Sequence, residues 1–335
     1  MKLGLAVWGE TIAEQVAAAD DAEAAGLSRV WTSELARSAF VPAAAIASAT
    51  STIGIGTAIA LAFVRSPLTT ALTSLDLAEL SDGRFVLGLG TGVKRLNTDW
   101  HGAQFDPAAR RLAQTVDVIR AVMSARLEGE TVETNGDVER IVMRGFHRPH
   151  PRPGSPVPIH LAAVGPLMLR ACGRVADGWI GHELGSPRHL TDTILPTLDA
   201  GLAESGRSRE DLEIVASACC VVDDDPARAR ELARPTVGFY ASVRTYQPFF
   251  AAHGYEAQAV AAQQALRSGD RTAVAAAVTD DMVDEFCCCG TLDDVRRKLR
   301  MYDGTADVVK LSPPTHDTSA ADSRECQRRI LELLA

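Results

Sequence analysis

Ser81-Asp82-Gly83-Arg84-Phe85-Val86-Leu87-Gly88-Leu89-Gly90-Thr91-Gly92 compresses one structural unit into a single run. Pro67 opens a helix that extends to Leu80, and Gly83 supplies its stop. The apolar run 84–89 then reads as a strand, and the glycines behind it as a turn in which the backbone can approach an anion closely. The same rhythm extends in both directions. Upstream, 3–8 reads as a first strand, and Thr11 with Glu14 has capping-box spacing for a helix that ends at Gly26. Residues 29–32 form a second strand, 40–50 a second helix, and the β-branched, apolar stretch 52–61 a third strand. Downstream, 107–126 is a long helix. Strands follow at 157–162, 178–182, 212–222 and 307–311, separated by helical patterns at 166–175, 187–205, from 226 onward, and 291–302, with a closing helix near 324–334. Two stretches break the rhythm. One is 127–156, where Pro149, Pro151, Pro153 and Pro156 exclude a helix; the other is 235–285. Strands alternating with helices make an α/β protein with a parallel sheet, leaving a doubly wound sheet or a closed barrel. Eight such units in 335 residues favour a (β/α)8 TIM barrel with insertions near 127–156 and 235–285, one domain over residues 1–335.

Composition narrows the function classes. A formal net charge of −9 argues against nucleic acid, whose phosphates demand clustered cations. No apolar run reaches the roughly 18 residues of a membrane span, and the first stretch, 1–8, is too short for a secretory signal. A soluble, cytoplasmic protein without membrane or nucleic-acid partners is expected. Basic residues are almost all arginine; only Lys2, Lys94, Lys298 and Lys310 are lysines. The runs Cys287-Cys288-Cys289 and Cys219-Cys220 match neither a disulfide framework nor a zinc site, so they read as small buried residues in a reducing compartment, and no metal site is expected.

A barrel of this kind keeps its active site at the carboxyl ends of the strands. Trp8, Trp31 and Trp179 sit at or within such strands and suit a flat apolar ligand, or else cap the core. Gly88-Leu89-Gly90-Thr91-Gly92 is a phosphate-loop candidate, though not the dinucleotide fingerprint, because 93–97 does not read as the helix that must follow. Ala162-Ala163-Val164-Gly165-Pro166 opens a helix whose amino terminus suits an anion. His182 ends the sixth strand beside Glu183 and can titrate near neutrality at the mouth, whereas His160 lies inside a strand and reads as structural. The aromatic-rich segment 239–255 is a lid or substrate wall, or alternatively helix packing or a dimer face.

These residues resemble a known family. Trp31-Thr32-Ser33-Glu34, Ile55-Gly56-Thr57-Ala58-Ile59, Arg65-Ser66-Pro67, Leu75-Asp76-Leu77-Ala78 and the Ser81–Gly92 run quoted above are similar to the bacterial luciferase-like superfamily. So are Ala176-Asp177-Gly178-Trp179 and Gly290-Thr291-Leu292-Asp293-Asp294-Val295. Within it, the sequence is most similar to the branch that uses the deazaflavin coenzyme F420. That resemblance implies a dimeric (β/α)8 oxidoreductase that moves a hydride between F420 and a small organic substrate. Its third strand would be bulged by a non-prolyl cis peptide, matching Ala58–Ile59 here. It further implies that Glu34 and Leu61 line the cofactor. Thr91, Gly92 and Asn97 would hold its polar tail together with Ala163, Val164, Gly165, Leu167 and Met168. Trp8, Trp31 and Trp179 would line the substrate pocket, with Glu34 or His182 as the proton-handling group. The alternatives are an FMN-dependent two-component monooxygenase and a flavin-binding barrel without turnover. The departures matter: Leu35 stands where the sugar and alcohol dehydrogenases carry a histidine, Val93 where they carry a glutamate, and Ala6 where the pterin reductase carries one. The substrates of those relatives are therefore not carried over.

Overall fold

Strand and helix alternate because apolar β-runs end in turn residues and helices begin at capping residues. Thr11 Oγ1 accepts from the Glu14 N–H at 3.1 Å, and Ser66 Oγ accepts from Thr69 N–H at 3.1 Å with Pro67 in the first turn. Only half of the expected capping box forms, since the Glu14 carboxylate accepts from Glu10 N–H rather than from Thr11. Gly26 and Gly83 stop their helices with φ of +85° and +79°, a backbone region costly for residues with a Cβ.

A computed structural model describes residues 1–125, 129–151 and 153–334 of the chain. Among these, eight parallel strands close on themselves: Lys2–Ala6, Arg29–Thr32, Gly54–Thr57, Phe85–Gly90, Ile159–Ala162, Gly178–Ile180, Glu213–Val222 and Val308–Ser312. Closure is made where the first strand pairs with the eighth, Leu3 opposite Val309 and Leu5 opposite Leu311. Helices including Ile12–Ala24, Pro67–Leu80, Ala108–Ser124 and Pro166–Val175 follow strands around the ring, as a (β/α)8 TIM barrel requires. The expected end of the long fourth helix at Arg126 and the start of the first insertion at 127 lie outside the described residues.

Side chains alternate along each strand, so one set packs against the helices and the other fills the barrel. Val30 and Val309 join the outer core, whereas Trp31, Ile180, Val215 and Val308 form a separate inner cluster. Trp31 fits there because its neighbours are glycines: a Cβ on Gly4 would lie 2.3 Å from the ring, and one on Gly56 2.8 Å from it.

Two sequence expectations are corrected. The third strand is not continuous over 52–61 but breaks into Gly54–Thr57 and Ala60–Leu61 around a cis Ala58–Ile59 peptide. Residues 94–101 are helical, so the glycine turn does lead into a short helix, with a π-helical turn at Leu96–Trp100. The cysteine triplet is part of a strand, Cys287–Gly290, that pairs with Cys219–Val222 where the long seventh strand runs past the barrel. All seven cysteines are free and buried, and burial pushes the Cys288 and Cys289 thiols up to about 12 and 11. The first insertion contains an antiparallel hairpin, Glu130–Glu133 with Val142–Phe146. The second is helical and has its own core, in which Val237, Phe250, Met282 and Phe286 pack together.

Candidate active site

The carboxyl ends of the first, second, third, fifth, sixth and eighth strands surround a cavity of about 420 Å³. On one side the third strand bulges inward. Thr57 Oγ1 donates to Gly88 O at 2.7 Å and accepts from Gly88 N–H at 2.9 Å. Ala58 N–H donates to Thr32 O at 2.7 Å, and Glu34 N–H donates to Ile59 O at 3.1 Å. The bulge is thereby tied to both neighbouring strands, and Ala58 and Ile59 form an apolar cavity wall. Glu34 lines the cavity too, but both its oxygens are engaged: the Leu61 N–H and Arg65 Nη1 each donate at 2.8 Å to one, and Arg65 Nη2 donates to the other. Leu61 itself is buried behind the wall, with its side chain against Gly92.

The rim continues at the two turns singled out in the sequence. Asn97 is fully buried, and its amide donates to Thr91 O at 2.6 Å and Val93 O at 3.0 Å. It therefore shapes the Thr91-Gly92 turn from behind; Gly92 holds φ +61°. Across from it, Gly165 caps Pro166–Val175 without any side-chain hydrogen bond, leaving the first helical N–H groups to solvent. Val164 lines the cavity and is 49% exposed, Leu167 is 77% exposed, Met168 is half-buried and Ala163 is buried.

The three tryptophans separate. Trp8 lines the cavity, its backbone held by Gln327, whose Oε1 accepts from Trp8 N–H at 2.7 Å. Trp31 does not reach it; the ring fills the barrel below, in the inner cluster already described. Trp179 faces outward, donates from Nε1 to Ala163 O at 2.9 Å, and lines a smaller neighbouring cavity of about 40 Å³ together with Tyr246 and Phe249. His182 borders both cavities.

The opposite wall holds an ionisable cluster, of which sequence reasoning missed Lys310 and His316. His182 Nδ1 accepts from Leu184 N–H at 3.2 Å, and its ring meets Tyr240 edge-on with centroids 4.4 Å apart. Burial, opposed by Glu183, lowers its pKa to about 4, so the ring is neutral at pH 7. Glu183 accepts from the Tyr240 hydroxyl and faces His316 Nε2 at 3.6 Å. Burial works against its ionisation, yet the neighbouring His316, His182, the Tyr240 hydroxyl and Lys310 together hold it down at about 2. Lys310 points inward from the eighth strand, 7% exposed, and burial lowers its pKa against the pull of Glu183. His316 stacks on Phe239 with centroids 4.1 Å apart. The aromatic segment thus divides: Phe239, Tyr240 and Tyr246 serve the wall, while Phe249 and Phe250 pack on Phe286. One signal for Lys310 was available, a rare lysine inside the apolar run Val308–Leu311; His316 had none.

His160 is elsewhere, buried against Glu213 at 3.3 Å, and burial lowers its pKa to about 4. Among the described residues no group of three or more His, Cys, Asp or Glu is arranged to hold a metal, and no helix is long and apolar enough to cross a membrane.

Comparison with known proteins agrees with this architecture. The 5,10-methylenetetrahydromethanopterin reductase of Archaeoglobus fulgidus is 31% identical over 87% of this chain and 87% of its own. A protein of Mycobacterium tuberculosis named only as uncharacterised is 34% identical over 89% of this chain and 91% of its own. The solved coenzyme F420-dependent tetrahydromethanopterin reductase of Methanopyrus kandleri superposes with a TM-score of 0.83 at 22% identity, covering 100% of this chain and 99% of that one. The family model for luciferase-like monooxygenases matches residues 3–307, and the chain belongs to that family.

Proposed function

We propose that this chain is an oxidoreductase that uses coenzyme F420 to act on a small organic substrate. The observation that carries the reading is the shape of one rim. An apolar wall at Ala58 and Ile59 can back a flat ring, and the uncapped helix start at Gly165 opens from the same cavity through Val164. A deazaflavin with an anionic tail needs both features, because free N–H groups at a helix start favour negative charge. A Mycobacterium tuberculosis relative that is 30% identical over 90% of this chain and carries a name giving it as a coenzyme F420-dependent oxidoreductase supports the choice of cofactor. When bound, the deazaflavin supplies the hydride chemistry.

The chain's own residues supply position and charge. Val164, Gly165, Leu167 and Met168, with Ala163 beneath, would hold the tail against the Thr91-Gly92 turn that Asn97 shapes. Glu34 acts as a positioning residue, because the Arg65 and Leu61 donors occupy its oxygens and bind it to the bulge. His182, neutral and facing the cavity, is the better placed of the two proposed proton-handling groups. Titration with F420 and, separately, with FMN, followed by tryptophan fluorescence, tests the assignment. Micromolar binding of F420 is expected; binding of FMN alone would overturn it.

A further inference from the structure

The polar groups around the cavity are unequally committed. Glu34 is occupied at both oxygens, by Arg65 and the Leu61 N–H, and Glu183 Oε1 accepts from the Tyr240 hydroxyl with His316 Nε2 3.6 Å away. Two nitrogens are uncommitted. Lys310 lines the cavity, and among the described residues nothing accepts a hydrogen bond from its Nζ. His182 accepts at Nδ1 from Leu184 N–H, which leaves the proton of the neutral ring on Nε2, also without an acceptor among the described residues. A nearly buried donor without a partner is costly, so a donor pair facing a cavity marks where a ligand's acceptor belongs. Lys310 donates in either protonation state, so the argument does not depend on its charge.

We propose that Lys310 Nζ and His182 Nε2 form a subsite for an oxygen acceptor, so that the substrate of this chain presents a carbonyl or carboxylate oxygen to the sixth and eighth strands. The donors are properties of the chain itself; only the assignment of their ligand as the substrate rests on the cofactor reading above.

Calorimetric titration of the full chain with benzoate, acetophenone and benzylamine, each with and without saturating F420, tests this. Benzoate is expected to bind at least about tenfold more tightly than benzylamine. Lys310→Met is expected to weaken benzoate about tenfold, the loss typical of one charge-assisted hydrogen bond. Loss of acetophenone binding in the same variant identifies a carbonyl as the source of the oxygen; loss of benzoate alone identifies a carboxylate. His182 provides an independent pair: His182→Gln, which keeps an N–H donor, should stay within about twofold of the parent, and His182→Phe should lose about fivefold. That pair decides the matter if Lys310→Met does not fold. Equal binding of benzylamine, or benzoate affinity unchanged in Lys310→Met and His182→Phe, would overturn the subsite. Displacement of benzoate by F420 would overturn its assignment to substrate. Failure of F420 to bind at all would be read in its own titration and leaves the cofactor-free comparison standing.

Discussion

Two sides of one cavity were built in different ways. The side at the third and fifth strands is made of contiguous segments: the Ala58–Ile59 bulge, with the Thr91–Asn97 turn behind it, and the Val164–Met168 helix start each bring their own geometry. The wall of the sixth and eighth strands is made of single residues from distant places. Glu183 and Tyr240 are 57 residues apart, and Lys310 and His316 come from the far end of the chain. Local segments can be recognised because turn and cap chemistry leaves a sequence signature. A convergent cluster leaves much less: His182 and Glu183 end one strand, Lys310 stands out as a lysine in an apolar run, and His316 carries no signal.

The contrast can be broken by four substitutions, whose effects decrease in order. Gly88→Val places a Cβ 1.7 Å from Thr57 O in the strand that anchors the bulge. A loss of about 3 kcal/mol is expected, read as a lower urea midpoint with an unchanged slope; normal stability would show that the bulge is not held this way. Glu183→Gln acts on the opposite wall. Because the Glu183 pKa is depressed from 4.5 to about 2, its contribution is complete above 4.5 and is lost as pH falls toward 2. The unfolding free energy of the parent protein should therefore fall by about 3 kcal/mol more than that of the variant across that window; parallel pH profiles would mean that the carboxylate is not held ionised by its neighbours.

Val164→Asp puts a carboxylate beside the uncapped helix start, and F420 affinity should fall several-fold with little change in stability, since the residue is 49% exposed. Unchanged affinity would remove that turn from the site. Leu167→Ala is the mildest. The side chain is 77% exposed, so the melting temperature should move by no more than about 2 °C, while F420 affinity drops about twofold. A large loss of stability instead would mean that Leu167 is packed rather than waiting for a ligand.

Much of the fold was legible because strand ends, caps and glycine turns are local. The strands at 29–32 and 85–90 and the helix opened by Pro166 lie where their residues predict. The misreadings share a cause. Period-2 alternation tells which side chains enter a barrel but not at what height. Trp8 and Trp31 both read as mouth residues, yet Trp31 sits a layer lower, in space left by Gly4 and Gly56 on neighbouring strands. The cysteine triplet read as buried and is buried, but its role as a strand depended on a seventh strand long enough to leave the barrel and pair again.

The amino-acid sequence by itself determined the alternation of strand and helix, the glycine turn and the helix start at the rim, because each is set by residues within a few positions of one another, and the count of eight units favoured a closed barrel over an open sheet. Only the tertiary structure decided which ionisable groups meet. Burial and pairing depend on how strands register around the ring, and that arrangement ties Glu34 to Arg65 and Glu183 to Tyr240 while it turns Lys310 and His182 toward the cavity with donors to spare.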